Sequence, residues 1–232
     1  MTILASMQSA ALALMGRRPT AFFASTGRFE QEIADLVNEA GEDIAQYQDW
    51  TQLQAVADLT GDGVATSFAL PSDYGRMMID SDVQASVYRL WGYFAYPDLS
   101  AFMRDTAAGF QSSPGGWIIT GGQIQFNPAP AGDTRFAYIS NQWARSTAGT
   151  PASQFSADTD TFVLSERLLK LWLIWRWREQ KKLDASGDQE AFVKALDEYA
   201  AKDGGSRVYR YGGRRSFPGT HLAWPWALGP SV

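Results

Sequence analysis

Between Leu168 and Lys182 the chain reads LLKLWLIWRWREQKK. Eight of the ten residues from Leu168 to Trp177 are large and apolar, and three of them are Trp. At helical spacing, Leu164, Leu168, Leu171, Trp175 and Arg178 share one face, which Leu169, Trp172 and Leu173 widen. Ile174 and Trp177 carry apolar surface round to the other side. A helix that is apolar nearly all round has to be buried on several faces, so any fold for this chain must supply those covers. A bilayer is not one of them. A spanning helix needs about 20 mostly apolar residues, and Lys170, Arg176 and Arg178 interrupt or close this run. Two covers stay open: a β-rich segment of the same chain, or a second copy of it. Aromatic residues and Arg are enriched in interface cores, which makes Trp172, Trp175 and Trp177 candidates for a subunit interface.

The rest of the chain divides by pattern. Residues 2–15 place Ile3, Met7, Ala11 and Leu14 at helical spacing, with Gly16 as a C-cap and Pro19 preventing continuation. Residues 28–48 put Phe29, Ile33, Leu36, Ala40, Ile44 and Tyr47 on one stripe, the clearest amphipathic helix here. From Gln52 to about Gln142 short β runs alternate with turns. Gly61-Asp62-Gly63 predicts a hairpin between LQAVADLT and VATSFAL, and Gly121-Gly122 a tight one between WIIT and QIQF. Ser86–Tyr96 is strand-like, and a short helix is expected over Asp98–Ala107. Helical pattern returns from about Ser165 to Leu183. It returns again over Asp188–Lys202, behind a Ser186/Gln189 capping box. The expected fold class is α+β. Two N-terminal and two C-terminal helices form a helical bundle core (residues 1–50 and 158–203). A β-rich insertion (51–157) interrupts it, and an extended C-terminal arm (204–232) follows.

Charge follows the same division. The net charge is −5, but residues 204–232 hold Arg207, Arg210, Arg214 and Arg215 and no acid, which leaves −9 on residues 1–203. An acidic body with a basic, aromatic arm suggests an arm that docks. General nucleic-acid binders have basic bodies instead. The arm has Gly and Pro but no helical period, and it carries more Tyr, Phe and Trp than a disordered linker would. There is no Cys, hence no disulfide framework and no thiolate chemistry. The apolar N-terminus has no positive segment before it, and Arg17 and Arg18 follow it, unlike a secretory signal. The chain reads as soluble and intracellular.

Motifs for chemistry are sparse. His221 is the only histidine and lies in the Pro-punctuated arm, a poor mount for an acid–base triad. Asp158 and Asp160 have the spacing of a metal dyad, but the sequence favours a structural role before a helix start. Asp58 to Gly63 resembles half a calcium loop without its intermediate carboxylates or closing Glu. No glycine-rich phosphate motif is present. Two functional classes beyond assembly are carried. A carboxylate-pair enzyme needs acids of raised pKa in a cleft. A single-strand nucleic-acid module acting through the arm predicts steep salt dependence.

Four stretches taken in order carry a resemblance: MTILASMQSAAL with GRRP, TGDGVATSFALPSDYGRM, FSADTDTFVLSERLLKLWLIWRWREQKK, and AKDGGSR. The chain resembles the head-to-tail adaptor (neck, or head-completion) proteins of tailed bacteriophages over roughly residues 1–208, most specifically over Phe155–Lys182. The resemblance implies a virion protein without catalysis, cofactor or metal. It implies a homo-oligomeric ring of about twelve copies beneath the portal, whose lumen passes double-stranded DNA without reading sequence. It implies further contacts with the next neck or tail protein, and none with a membrane. Such adaptors reach the portal with C-terminal segments. On that basis Arg207, Arg210, Arg214 and Arg215 are expected to meet portal carboxylates, with Tyr209, Tyr211, Trp224 and Trp226 as anchors. A stopper or tail-completion ring is the alternative in the same class. Those are usually barrel-like, against a chain about half helical by pattern.

Overall fold

A computed structural model describes residues 2–79, 81–86, 92–111 and 114–203. It is mixed α+β, with no closed barrel among the described residues. Two compact units result: one from residues 2–55, 73–78 and 139–203, the other from the described residues of 56–72 and 79–138.

The first unit holds four long helices: α1 (Ile3–Met15), α2 (Arg28–Gln46), α4 (Glu166–Gln180) and α5 (Ser186–Asp203). The Trp-rich segment is α4, and α1, α2 and α5 all pack against it. Its many-sided apolarity is thus met by three helices of its own chain. Leu168, Leu169, Trp172, Leu173 and Ile174 are buried in one core with Ile3, Met7, Ile33, Val37 and Leu196. Burying each such large side chain contributes about 1.5–3 kcal/mol. Trp175 stacks on Phe192 of α5, with ring centroids 5.6 Å apart.

Helix ends follow local chemistry, with two differences from expectation. Gly16 ends α1 in the left-handed region, φ +68°, donating its N–H to Leu12 O. The N-terminus of α5 is organised by Asp184, which accepts from Ser186 N and Oγ, instead of by a Ser186/Gln189 box. A carboxylate two residues upstream reaches these donors first, and they hold Asp184 below the usual carboxylate range. Asp158 and Asp160 are structural, but for a distant element. Their carbonyls accept from Leu4 N and Ile3 N, covering free donors of α1. The Asp158 carboxylate takes Phe22 N at 3.1 Å, and that of Asp160 takes Ser156 N and Ala157 N.

A small sheet, ordered β10-β9-β11, completes this unit: β9 (Ala144–Arg145), β10 (Pro151–Ala152) and β11 (Thr161–Phe162). Beneath it Trp143, Phe155 and Phe162 meet edge to face, with centroids 4.9–6.1 Å apart. Asn38 of α2 ties this cluster down by donating to Phe155 O and accepting from Phe155 N. Gly41 of α2 lies against the Trp143 ring, in space a β-carbon would need.

In the second unit β6 (Gly116–Thr120) and β7 (Gln123–Asn127) form the expected hairpin, with Gly121 and Gly122 at φ +60° and +74°. The sheet is ordered β2-β7-β6-β5, with β2 (Ser67–Ala69) at one side and the parallel β5 (Phe94–Ala95) at the other. Helix α3 (Leu99–Ala107) packs on β6. Its N-cap is Asp98, which accepts from Ala101 N at 2.7 Å. Tyr93, Phe126, Phe136 and Ile124 form the buried interior. Residues 87–91 of the strand-like stretch Ser86–Tyr96 lie outside the described residues, and its described part contains β5.

The hairpin expected at Gly61-Asp62-Gly63 does not form. Strand β1 (Gln54–Asp62) runs through Gly61 and pairs with β8 (Ala131–Ser140), while β2 pairs with β7. Asp62 closes an Asx turn by accepting from Val64 N and Ala65 N, and Gly63 N donates to Pro130 O. The turn chemistry is as read, but the chain leaves it toward a different partner. Strand β8 lies between β1 and β3 (Tyr74–Met77), and β4 (Gln84–Ala85) also pairs with it.

Gly41→Ala should improve intrinsic helix propensity yet destabilise the protein by about 1–3 kcal/mol, because the added methyl displaces Trp143. Urea unfolding followed by Trp fluorescence checks this. A variant as stable as the parent would refute the close packing.

Candidate interaction surfaces

The three tryptophans of α4 do different things. Trp172 is 1 % exposed, inside the first unit's core. Trp175 and Trp177 are half-buried and keep some surface. Two of the indoles are spent on α2, whose acids form a ladder along the α2–α4 seam. Trp177 Nε1 donates to Glu32 at 3.3 Å and Trp172 Nε1 to Asp43 at 3.2 Å. Between them Arg176 reaches Glu39 at 3.1 Å and Glu179 at 2.8 Å, and Lys181 reaches Glu32 at 2.7 Å. Lys181 also lies over the Trp177 ring, 5.5 Å from its centroid. Within WRWR, Arg176 and Trp177 thus meet acids of α2, while Trp175 stacks on Phe192 and Arg178 pairs with Asp188, both of α5.

The ladder's two ends differ electrostatically. Glu32 is held below the usual carboxylate range, first by its hydrogen bond with Lys181 and further by Arg28 and Trp177. Asp43 is pushed up, first by burial and then by Glu39, against the opposing pull of Trp172 and Arg176.

The arm residues Arg207, Tyr209, Arg210, Tyr211, Arg214, Arg215, Trp224 and Trp226, and His221, lie outside the described residues. The arm's root is described. Asp203, the last residue of α5, accepts from Thr51 N at 2.8 Å and Thr51 Oγ1 at 2.6 Å. Tyr47 Oη donates to Asp197, and Tyr199 packs on the fully buried Trp50, 5.1 Å between centroids. These contacts fasten the end of α5 beside the 3-10 turn Thr51–Leu53 that leads into β1. Sequence reasoning missed this clasp. Its one visible signal was an Asp placed directly before Gly204-Gly205.

A cleft of about 570 Å³ also opens in the first unit, lined by Glu42, Gln46, Arg76, Asn141, Trp143 and Ser153 among others. Arg76 there is ion-paired with Asp49. Asp43, the carboxylate with the raised pKa, is not among the residues lining it. Among the described residues, no three or more His, Asp or Glu side chains converge as a metal-ligand set, and no helix is long and apolar enough to cross a membrane.

Among the described residues the polar groups are largely engaged with one another, and the sequence continues beyond them into a basic aromatic arm. The family model for SU10 adaptor proteins matches residues 1–216, and the chain belongs to that family of phage head-to-tail adaptors. Its role is structural, and its place is the virion neck. A search of curated proteins returns no match.

The ladder predicts opposite pH effects for two acids of one helix. The folded pKa of Asp43 lies above its unfolded value, so its ionisation costs stability as pH rises through the folded pKa. Asp43→Asn should raise Tm at pH 7 and leave it unchanged near pH ~3, where both forms are neutral. Glu32 has the reverse sign: its stabilisation is present above the unfolded pKa and lost as pH falls. Glu32→Gln should therefore lower Tm at pH 7. Thermal melts of both variants across pH check the pair; shifts of the same sign would refute the assignment.

Proposed function

We propose that the chain assembles as a closed ring of about twelve copies on the portal. The ring joins the portal to the next neck or tail protein and passes double-stranded DNA through its lumen without sequence recognition. Membership of the adaptor family over residues 1–216 is the observation that carries this reading. The arm supplies the portal contact. Arg207, Arg210, Arg214 and Arg215 meet portal carboxylates, and Tyr209, Tyr211, Trp224 and Trp226 seat in pockets between them. The Asp203–Thr51 clasp supports this role, because an anchored root lets the arm pull on the body instead of unravelling α5.

Lateral contacts fall to surface that the protomer leaves open. Trp175 and Trp177 contribute their exposed edges, and Trp172 supports them from beneath. The charge of −9 on residues 1–203 suits a lumen that repels phosphate, so that DNA slides without sticking.

Native mass of the chain, alone and mixed with the portal encoded beside it, tests the reading. A portal complex carrying about a dozen copies is expected. Reversing all four arm arginines to Glu should weaken it by at least about 30-fold. Portal rings that stay bare in the presence of folded wild-type chain would overturn the proposal. Attachment unchanged by removal of residues 204–232 would overturn the arm's part in it.

A further inference from the structure

Helix α1, ILASMQSAALALM, carries no charged residue. It buries Ile3, Met7, Ala10 and Ala11 and packs on α4. Its last turn nevertheless leaves Leu12 42 % and Met15 48 % exposed. A surface helix normally turns charged or polar residues to water, and exposed apolar clusters mark contact sites. Two exposed arginines, Arg17 and Arg18, follow directly. Arg17 pairs with Glu30 and lies 5.8 Å over the Phe29 ring, and Phe29 meets Trp177 edge to face at 5.7 Å. The end of α1 is therefore continuous with the Trp177 edge already assigned to lateral contact.

A second apolar surface lies on α3, in the other unit. Helix α3 buries Phe102 alone. Leu99, Met103 and Ala107, spaced by four, line one stripe, on which Leu99 is 44 % and Met103 61 % exposed. Phe110, just beyond the helix, is 59 % exposed. Asp98 caps the start of this stripe, and Asp105 follows Met103. Arg104 pairs with Asp105 at 3.4 Å, so the border of the stripe is acidic on balance.

We propose that the end of α1 on one copy packs on the α3 stripe of the next copy, with Leu12 and Met15 meeting Leu99 and Met103. The inference rests on the ring reading and names part of its lateral contact. A closed ring needs two different surfaces that fit each other. These two match in chemistry: both are apolar, and both present a Met, which adapts its shape to a partner. Their borders have opposite sign, Arg17 and Arg18 beside one and Asp98 beside the other. Opposite borders set the orientation and disfavour pairing of either surface with itself. Charge also favours a second copy as the occupant. Residues 1–203 carry −9, so two copies repel wherever their acids meet. The end of α1 offers such a body an apolar face bordered by base instead of acid.

Cross-linking of full-length chains tests it, since the chain has no native Cys. Met15→Cys and Met103→Cys are made in separate chains, one of them tagged. The two are mixed with the portal and treated with a short bifunctional thiol reagent. Links between unlike chains are expected at least about ten-fold above links between like chains. Portal rings loaded with chain but linked only between like chains, or not at all, would overturn the inference. Met103→Glu supplies a second readout. Its site is 61 % exposed, so the Tm of the free chain should stay unchanged. Half-saturation of the portal should then need about ten-fold more chain, and half-saturation unmoved by this charge would overturn the inference too. Portal rings left bare by the wild-type chain would instead fail the ring reading. The links are in that case scored on the concentrated free chain, where their absence overturns the α1–α3 contact.

Discussion

The seam between α2 and α4 is the constraint on which the first unit depends. A helix carrying Leu168, Leu169, Trp172, Leu173 and Ile174 in its core face cannot stand beside water, and α1, α2 and α5 surround it. Its charged and indole groups would still be stranded without acceptors. Glu32, Glu39 and Asp43 supply them along one edge of α2. A polar network at a helix seam is useful only when its members are satisfied. Here the Trp172 and Trp177 indoles are, while Asp43 is pushed toward its neutral form and the buried Nε of Arg176 has no hydrogen-bond partner among the described residues. The same acids fix the register of α4 on α2, since sliding by one turn, about four residues, would bring Trp177 to Leu36 or Arg28 instead of Glu32.

What was legible in the sequence was local. Helical periodicity located α1, α2, α4 and α5 within a few residues, and Gly121-Gly122 located the hairpin β6–β7. Pairing between distant segments was not legible. Asp62 and Gly63 make a good turn whichever strand follows, so nothing near them said that β1 would pair with β8. Asp158 and Asp160 read as structural before a helix start, yet the Asp160 carboxylate holds its own loop at Ser156 and Ala157, and their other donors lie more than a hundred positions away in α1 and at Phe22. The covers of α4 were missed for the same reason. The sequence shows how much surface must be hidden, and not that three helices of the same chain share the task.

The candidate surfaces divide along the same line. The arm was recognisable by composition, because four Arg without an acid is a statement about charge alone. Its root was not, because the Asp203–Thr51 clasp joins residues 152 positions apart. Asp203 is an ordinary helix-terminal acid until Thr51 is placed against it. The tryptophans went the other way. Their number announced an interface, yet the first interface they serve is between helices of one chain, and only Trp175 and Trp177 retain surface for another.

That order of service bears on how such a subunit is built. If covering α4 required a neighbour, folding would wait for assembly, and an isolated chain would expose several large apolar side chains. With α4 covered internally, the core is complete before any copy meets another. Association then adds contacts on a finished surface instead of finishing the core. Such contacts gain from being few, anchored and timed by a template, since a preformed body with freely adhesive flanks would polymerise without one. Asp203, clasped to Thr51, fixes the point from which the basic arm departs, so a contact made through the arm would bear on the finished body.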